Sequence, residues 1–325
     1  MDTMSDEIER TPSINQASSG MGTPLALLAF LTFSTSDLCS KLLHNRLPAY
    51  EVAFFGGLLG ILLFPVLWKK EYTFRSFFPV GKTAWLLWLL RAFCVFAATA
   101  LAVTAFMLLP LPIAQALMFL MPLVTAILTV VVLREKVPFS TWVVALVGLV
   151  GVATVAGPDL LASFQETLQS GKFNDLGIGG LCAIGVALTA GVNIMAARGL
   201  NGKANDLSIY AAVVFGPIIG DGIVFGNTFV MPSSLDVCLE LFGYGFLAAL
   251  AQLFLIYASQ KIAAAKITLA QYSQLIWTTV FAIIIFKDMP AIHTYVGLGI
   301  ILLSGVFGAI LQKREGRASL VNPEV

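Results

Sequence analysis

The chain alternates long apolar runs with short polar ones, and the runs share a length. Uncharged stretches reach from Lys136 to Asp159, Asp175 to Arg198, Glu240 to Lys261, Lys266 to Lys287 and Asp288 to Lys313. Each fits the roughly 20 residues a helix needs to cross about 30 Å of hydrocarbon. The gap from Arg91 to Arg134 is about twice as long and carries Pro110-Leu111-Pro112 near its middle, where helix propagation fails. It predicts two helices joined by a tight hairpin. With the less clean stretches added, crossings are expected near 24–43, 50–68, 84–107, 111–133, 139–157, 176–198, 207–227, 239–260, 265–286 and 291–312. The expected fold class is an all-α integral membrane protein with ten transmembrane helices.

Composition removes the alternatives. Of 325 residues, 58% are hydrophobic and 11% charged, and the mean hydropathy is +0.90. Soluble domains carry about 25% charged residues; 19 Lys+Arg with 18 Asp+Glu cannot wet a surface of this mass. A soluble enzyme is excluded. The net charge of +1 offers no basic surface for phosphates, so nucleic acid is not an expected partner and the lipid bilayer is. Cys39, Cys94, Cys182 and Cys238 lack metal-ligand spacing, and all but Cys238 lie inside apolar runs. They imply neither a disulfide framework nor a metal site.

Lys and Arg in short loops set the orientation. With the N-terminus in the cytoplasm, Arg10, Lys69, Lys70, Arg75, Lys82, Arg134, Lys136, Arg198, Lys203, Lys261, Lys266, Lys313, Arg314 and Arg317 fall inside, against Arg46, Lys172 and Lys287 outside. The expectation is a multi-pass protein of the cell inner membrane with both termini cytoplasmic. The polar, acidic opening lacks the basic region of a cleaved signal, so 1–23 reads as a disordered tail and 313–325 as a second tail.

Shifting the chain by about 153 residues aligns 109–143 with 262–296 without a gap. Phe119 then meets Tyr272, Thr125 meets Thr278, Glu135 meets Asp288, Thr141 meets Thr294 and Trp142 meets Tyr295. Ser36 with Thr189, Ser40 with Asn193, and Thr99 with Gln252 share the offset. Five helices per half is an odd number, so the second copy enters the membrane from the opposite side. Two inverted repeats are expected, over 24–157 and 176–312, with 158–175 as a connecting loop. That arrangement lets one solute site open alternately to either side.

The run from Leu111 to Ala116, Pro122-Leu123, Arg134-Glu135 and the Gly-rich stretch 147–151 resemble the drug/metabolite transporter superfamily, EamA type. The first hairpin resembles the bacterial S-adenosylmethionine uptake transporters, through Asp37 and Lys41, Arg46-Leu47 and the stretch from Glu51 to Phe55. Relatives commonly place an arginine after the Phe-Phe, where Gly56 and Gly57 stand here. The resemblance implies a secondary transporter of a small organic metabolite, with S-adenosylmethionine uptake or exchange as the sharpest substrate hypothesis. Export of amino acids or toxic amphipathic compounds is the alternative within the fold. A membrane-embedded enzyme or receptor is the alternative outside it, and no catalytic constellation supports one. No cofactor is implied; a coupling proton or exchanged solute is, since there is no Walker-type loop. Glycine pairs such as Gly56–Gly60 leave room for a homodimer.

Polar residues inside the spans are the candidate site. A carboxylate at Asp37, about 13 residues into its helix, must face a cavity or a partner, because lipid exposure costs about 2.5–3.5 kcal/mol or more. Asp37 and Lys41 stand four apart and could neutralise each other, or bind solute or proton. Arg91 is near enough to a helix end to snorkel; turned inward, it would bind a carboxylate bidentately. Gln115, Phe119, Asn193, Gln252, Tyr257, Gln271, Tyr272, Gln274 and Trp277 complete the candidate set, with interhelical hydrogen bonding as the competing role of each amide. Asp221, flanked by Gly220 and Gly222 after Pro217, lines a broken helix or marks a frayed end. His44 and His293 sit at helix ends with no metalloprotease spacing and read as ordinary exposed histidines.

Overall fold

The computed structural model describes residues 21–134, 137–171, 174–200, 202–225, 230, 232, 234–259, 261–262 and 264–321. Among these every regular element is helical, as a chain whose backbone must satisfy itself in lipid requires. Eight helices are long and apolar enough to span a membrane, and Leu269–Ile284 and Ile292–Gly308 are shorter apolar helices.

The first hairpin is α1 (Gly22–Leu42) and α2 (Ala49–Gly60), continued by a 3-10 turn and α3 (Phe64–Leu67). Hydroxyls in α1 return to the carbonyl one turn back, Thr32 to Leu28 at 2.7 Å and Ser34 to Phe30 at 2.9 Å. Polar side chains are thereby satisfied without water. Helix α4 (Lys82–Leu108) ends before Pro110, and α5 (Leu111–Met118) begins at once. The double-length gap is indeed two helices. α6 (Met121–Leu128) follows a break at Phe119, where Pro122 removes a backbone donor.

Helix α7 (Phe139–Ser170) departs from expectation, since 158–175 was read as a loop and the chain is helical to Ser170. Gly157, at φ 66° and ψ 178°, interrupts the helix, so Phe139–Ser170 is two helices joined at a kink, the first ending where the crossing was expected to end. That left-handed φ suits glycine, and the His293 ring occupies the space a Cβ would need. His293 is thus half-buried rather than exposed, with Nδ1 3.2 Å from the Thr154 carbonyl. The second half holds α8 (Asp175–Leu200), α9 (Asp206–Phe225), α10 (Leu235–Ser259), α11 (Ala264–Gln271), α12 (Ser273–Ile284) and α13 (Ile292–Val321). α13 carries helix beyond 313, into the stretch expected as a tail, and 1–20 and 322–325 lie outside the described residues.

The packing has a pairwise pattern. α1 lies along α10 and α4 along α8; α2 meets α9, and α7 meets α13. Small residues let the last two pairs approach: Gly57 faces Val214 and Pro217, while Gly151 and Gly297 place their backbones against each other. Two non-glycine residues with left-handed backbone, Arg134 (φ 56°) and Lys287 (φ 53°), follow α6 and α12. They share the 153-residue offset.

Candidate functional site

Two broken helices meet inside the bundle. α5 and α6 part at Phe119, α11 and α12 at Tyr272, and the two rings lie 5.0 Å apart at 44°. The causes of the breaks differ. Pro122 acts in the first half; Leu275 stands at the matching place in the second, where the Ser273 hydroxyl instead bonds the Ala270 carbonyl at 2.6 Å and competes with the helix ladder.

Polar groups gather beside this junction. α12 packs against both α1 and α5. Across the first contact the Gln274 amide Nε2 donates to Asp37 Oδ2 at 3.2 Å, joining residues from opposite halves of the chain. Across the second, Gln115 on α5 is 5% exposed with Oε1 unpartnered, and Trp277 on α12 has a buried, unpartnered Nε1. Buried polar atoms normally find partners; here a donor and an acceptor on adjacent helices have none among the described residues. Thr278, fully buried, spends its hydroxyl on the Gln274 carbonyl at 2.9 Å.

The two cations do other work. Lys41 makes no ion pair with Asp37 among the described residues. Its Nζ donates to the Leu109 carbonyl at 2.5 Å and the Phe106 carbonyl at 3.1 Å, and lies 5.5 Å from the Phe286 ring centroid. The unsatisfied C-terminal carbonyls of α4 outcompete the carboxylate four residues away, because they offer two acceptors and the negative end of a helix dipole. Arg91 turns inward: Nη1 donates to Asn193 Oδ1 at 2.8 Å and Nε to the Ile209 carbonyl at 3.3 Å, tying α4 to α8 and α9. Asn193 is therefore brought to Arg91, not to Asp37. Gln252 and Gln271 are half-buried, whereas Tyr257 is 38% exposed on the outer side of α10.

Sequence reasoning left Glu51 and Tyr244 out of the candidate set and misread the surroundings of Asp221. Glu51 is fully buried, with Oε1 accepting the Val230 N–H at 2.7 Å and Oε2 unpartnered. Tyr244 is 8% exposed, and its carbonyl accepts the Ser36 hydroxyl at 2.7 Å. The 153-residue offset pairs Tyr244 with Arg91, a signal that would have found it. Asp221 is fully buried in a continuous α9, which runs through Pro217 rather than breaking there.

The comparisons agree with this architecture. Residues 20–157 match the EamA-like transporter family. That stretch is similar to an EamA-type transporter domain. Beyond that domain, the chain is 27% identical to the S-adenosylmethionine uptake transporter of Rickettsia prowazekii, over 89% of this chain and 92% of the relative. It is 23% identical to the pseudopaline exporter of Pseudomonas aeruginosa, over 91% and 97%, and 26% identical to human solute carrier family 35 member G1, over 90% and 79%. A solved crystal structure, 15% identical, superposes with a TM-score of 0.61 over 90% of this chain and 98% of its own, and shares the fold. An EamA-type domain on apolar spans supports a multi-pass membrane transporter.

Proposed function

We propose that the protein is a secondary transporter that moves a small organic metabolite by alternating access through two inverted five-helix repeats. The observation that carries this reading is the meeting of Phe119 and Tyr272. Interrupted helices at matching places in two halves are where transporter solute sites are built. The reading is supported by the paired packing of α1 with α10 and α8 with α4, and by the matched left-handed residues Arg134 and Lys287. The two shorter apolar helices, Leu269–Ile284 and Ile292–Gly308, complete ten crossings on this reading. Both termini then lie in the cytoplasm, with the protein in the bacterial inner membrane.

Asp37, Gln274, Gln115, Trp277, Phe119 and Tyr272 form the solute site. An acceptor carboxylate beside aromatic rings fits a cationic solute with a flat ring system, since cations and stacked rings both gain from the π-face. S-adenosylmethionine has that chemistry, and the Rickettsia relative is named for its uptake. Interhelical hydrogen bonds in membranes average about 0.6 kcal/mol. The Asp37–Gln274 bond is therefore cheap to exchange for one to solute. Lys41 and Arg91 act on the helices of the gate rather than on the solute. Direction follows the gradient, so the same site would serve an exporter such as the pseudopaline relative.

Uptake of labelled S-adenosylmethionine by proteoliposomes holding unlabelled S-adenosylmethionine tests the reading, with labelled amino acids as the competing panel. Wild-type exchange of the first, lost on Asp37→Asn with the protein folded and inserted, is expected. Equal exchange by the variant would remove Asp37 from the site, and exchange of amino acids alone would replace the substrate.

A further inference from the structure

Asp221 is not part of the solute site, yet it is the least compensated charge in the bundle. It is fully buried on α9, and neither carboxylate oxygen has a hydrogen-bond partner among the described residues. Its flanking glycines fix its direction. A Cβ on Gly220 would meet the Phe96 ring of α4, and one on Gly222 would meet the Phe54 ring of α2 at 3.3 Å. Successive helical residues are about 100° apart, so Asp221 points into the cleft between those two helices, walled by aromatic carbon. Glycine on both sides lets α2 and α4 close around the carboxyl group.

Among the described residues the surroundings offer no counter-charge. From α2 come Tyr50 and Glu51, the latter bound to the Val230 N–H. From α4 come Cys94 and Arg91, whose guanidinium is held by Asn193 and Ile209. The Phe74–Phe77 turn brings Arg75, which is exposed, and Tyr210 of α9 itself donates to the Gly60 carbonyl at 3.0 Å. From α10 comes Tyr244, 8% exposed and packed against α2. Its ring fits only because residue 56 is glycine, whose Cβ would lie 2.5 Å from it. Tyr244 also touches the Asp37 helix, through the Ser36 hydroxyl. Tyr244 thus stands on a helix that packs against both α1, which carries Asp37, and α2, which walls the Asp221 cleft.

An uncompensated carboxylate within a span is costly enough to be retained for a purpose. We propose that Asp221 is the coupling site of the transporter: its carboxylate takes up one proton from one aqueous face and releases it to the other, and Tyr244 relays that change to the solute site at Asp37. Only an O–H bond is made and broken, and the coupling ligand is H⁺. The inference rests on the proposed transport function but concerns a different residue. Neutralising Asp221 lets α2 and α4 stay closed on it; ionising it favours their parting to admit water.

Two measurements on the full-length protein in proteoliposomes test it. With one proton per solute, an imposed gradient of about one pH unit supports about tenfold accumulation. Wild type should accumulate labelled S-adenosylmethionine on that gradient, whereas Asp221→Asn should exchange it at the wild-type rate without accumulating it. Infrared difference spectra taken across a pH titration supply a readout independent of substrate. The wild type should show a protonated-carboxyl C=O band that shifts in D₂O and disappears in Asp221→Asn. Gradient-driven accumulation by the variant, or a wild-type band that survives the substitution, overturns the inference while leaving the transporter reading standing. If wild type moves no S-adenosylmethionine, the substrate reading fails and the infrared band alone decides for or against Asp221.

Discussion

Helix α4 is clamped toward both ends by a half-buried cation, and the two clamps are built differently. At its C-terminal end Lys41 reaches across from α1 to the open carbonyls of Phe106 and Leu109, and nearby Arg46 bridges Asp236 at 2.8 Å and Glu240 at 3.1 Å. Near its N-terminal end Arg91 is carried by α4 itself and holds α8 and α9. Around that end stands an aromatic cluster: Phe77 lies against Phe64 at 4.8 Å, Phe78 stacks on Trp85 at 5.4 Å, and the Trp88 indole donates to the Ser208 carbonyl at 2.8 Å. One end is closed by charged contacts that water can replace, the other by apolar area that water cannot satisfy. Parting the first exchanges hydrogen bonds for hydration at small net cost; parting the second exposes ring surface at about 25 cal/mol per Å². On the proposed alternating-access mechanism the two gates are unequal, and the charged end is the easier to open.

Replacing the clamp at that easier end should have the largest effect. Lys41→Met keeps the stem but removes the charged donor, leaving the Phe106 and Leu109 carbonyls without it. The α4 end then loses its tie to α1. The expected outcome is loss of exchange by at least about tenfold, with a lower melting temperature in detergent, read by proteoliposome counterflow and thermal unfolding together. Unchanged exchange would mean that Lys41 is not a clamp.

That result bears on what the sequence could disclose. Charge gaps located the membrane helices to within a few residues, because lipid forbids charge over a fixed thickness and that constraint is local. Pro110 and Pro112 marked the hairpin for the same reason. The partners of polar residues were not legible. Lys41 and Asp37 stand at helical spacing, yet Lys41 found the carbonyls of a helix about 65 residues away and Asp37 found Gln274. Helical spacing ranks neighbours on one helix and says nothing of acceptors on another. Gln274 was recognised as a candidate, but its partner depended on how α1 and α12 cross. Asp221 was readable as a charge in a span, while its lack of any partner required the positions of Phe54, Phe96 and Tyr244.

The Arg91 end should respond less to a conservative change. Arg91→Lys keeps a cation that can reach Asn193 Oδ1 but gives up the second donor to Ile209, so part of the tie survives. A few-fold reduction in exchange is expected, with the aromatic cluster still holding that end shut. Trp85 or Trp88 fluorescence unchanged by the substitution would accompany it. A loss as large as that of Lys41→Met would show that the guanidinium, and not the rings, closes this end.

The smallest effect belongs to the exposed pair. Arg46 is 43% exposed and Asp236 62% exposed at the side chain, so their attraction competes directly with water and salt. Arg46→Ala is expected to leave the melting temperature unchanged within error and to alter exchange only through its salt dependence, flattening whatever response the wild type gives between low and high ionic strength. Glu240, 20% exposed, is the more sheltered partner and the reason a salt response is expected at all. If Arg46→Ala slowed exchange as much as Lys41→Met at every salt concentration, the charged end would be one continuous clamp of Lys41, Arg46 and Glu240, and its opening would demand breaking buried ionic contacts. The contrast between an easily wetted gate and an apolar one would then reverse, with the aromatic end the first to part.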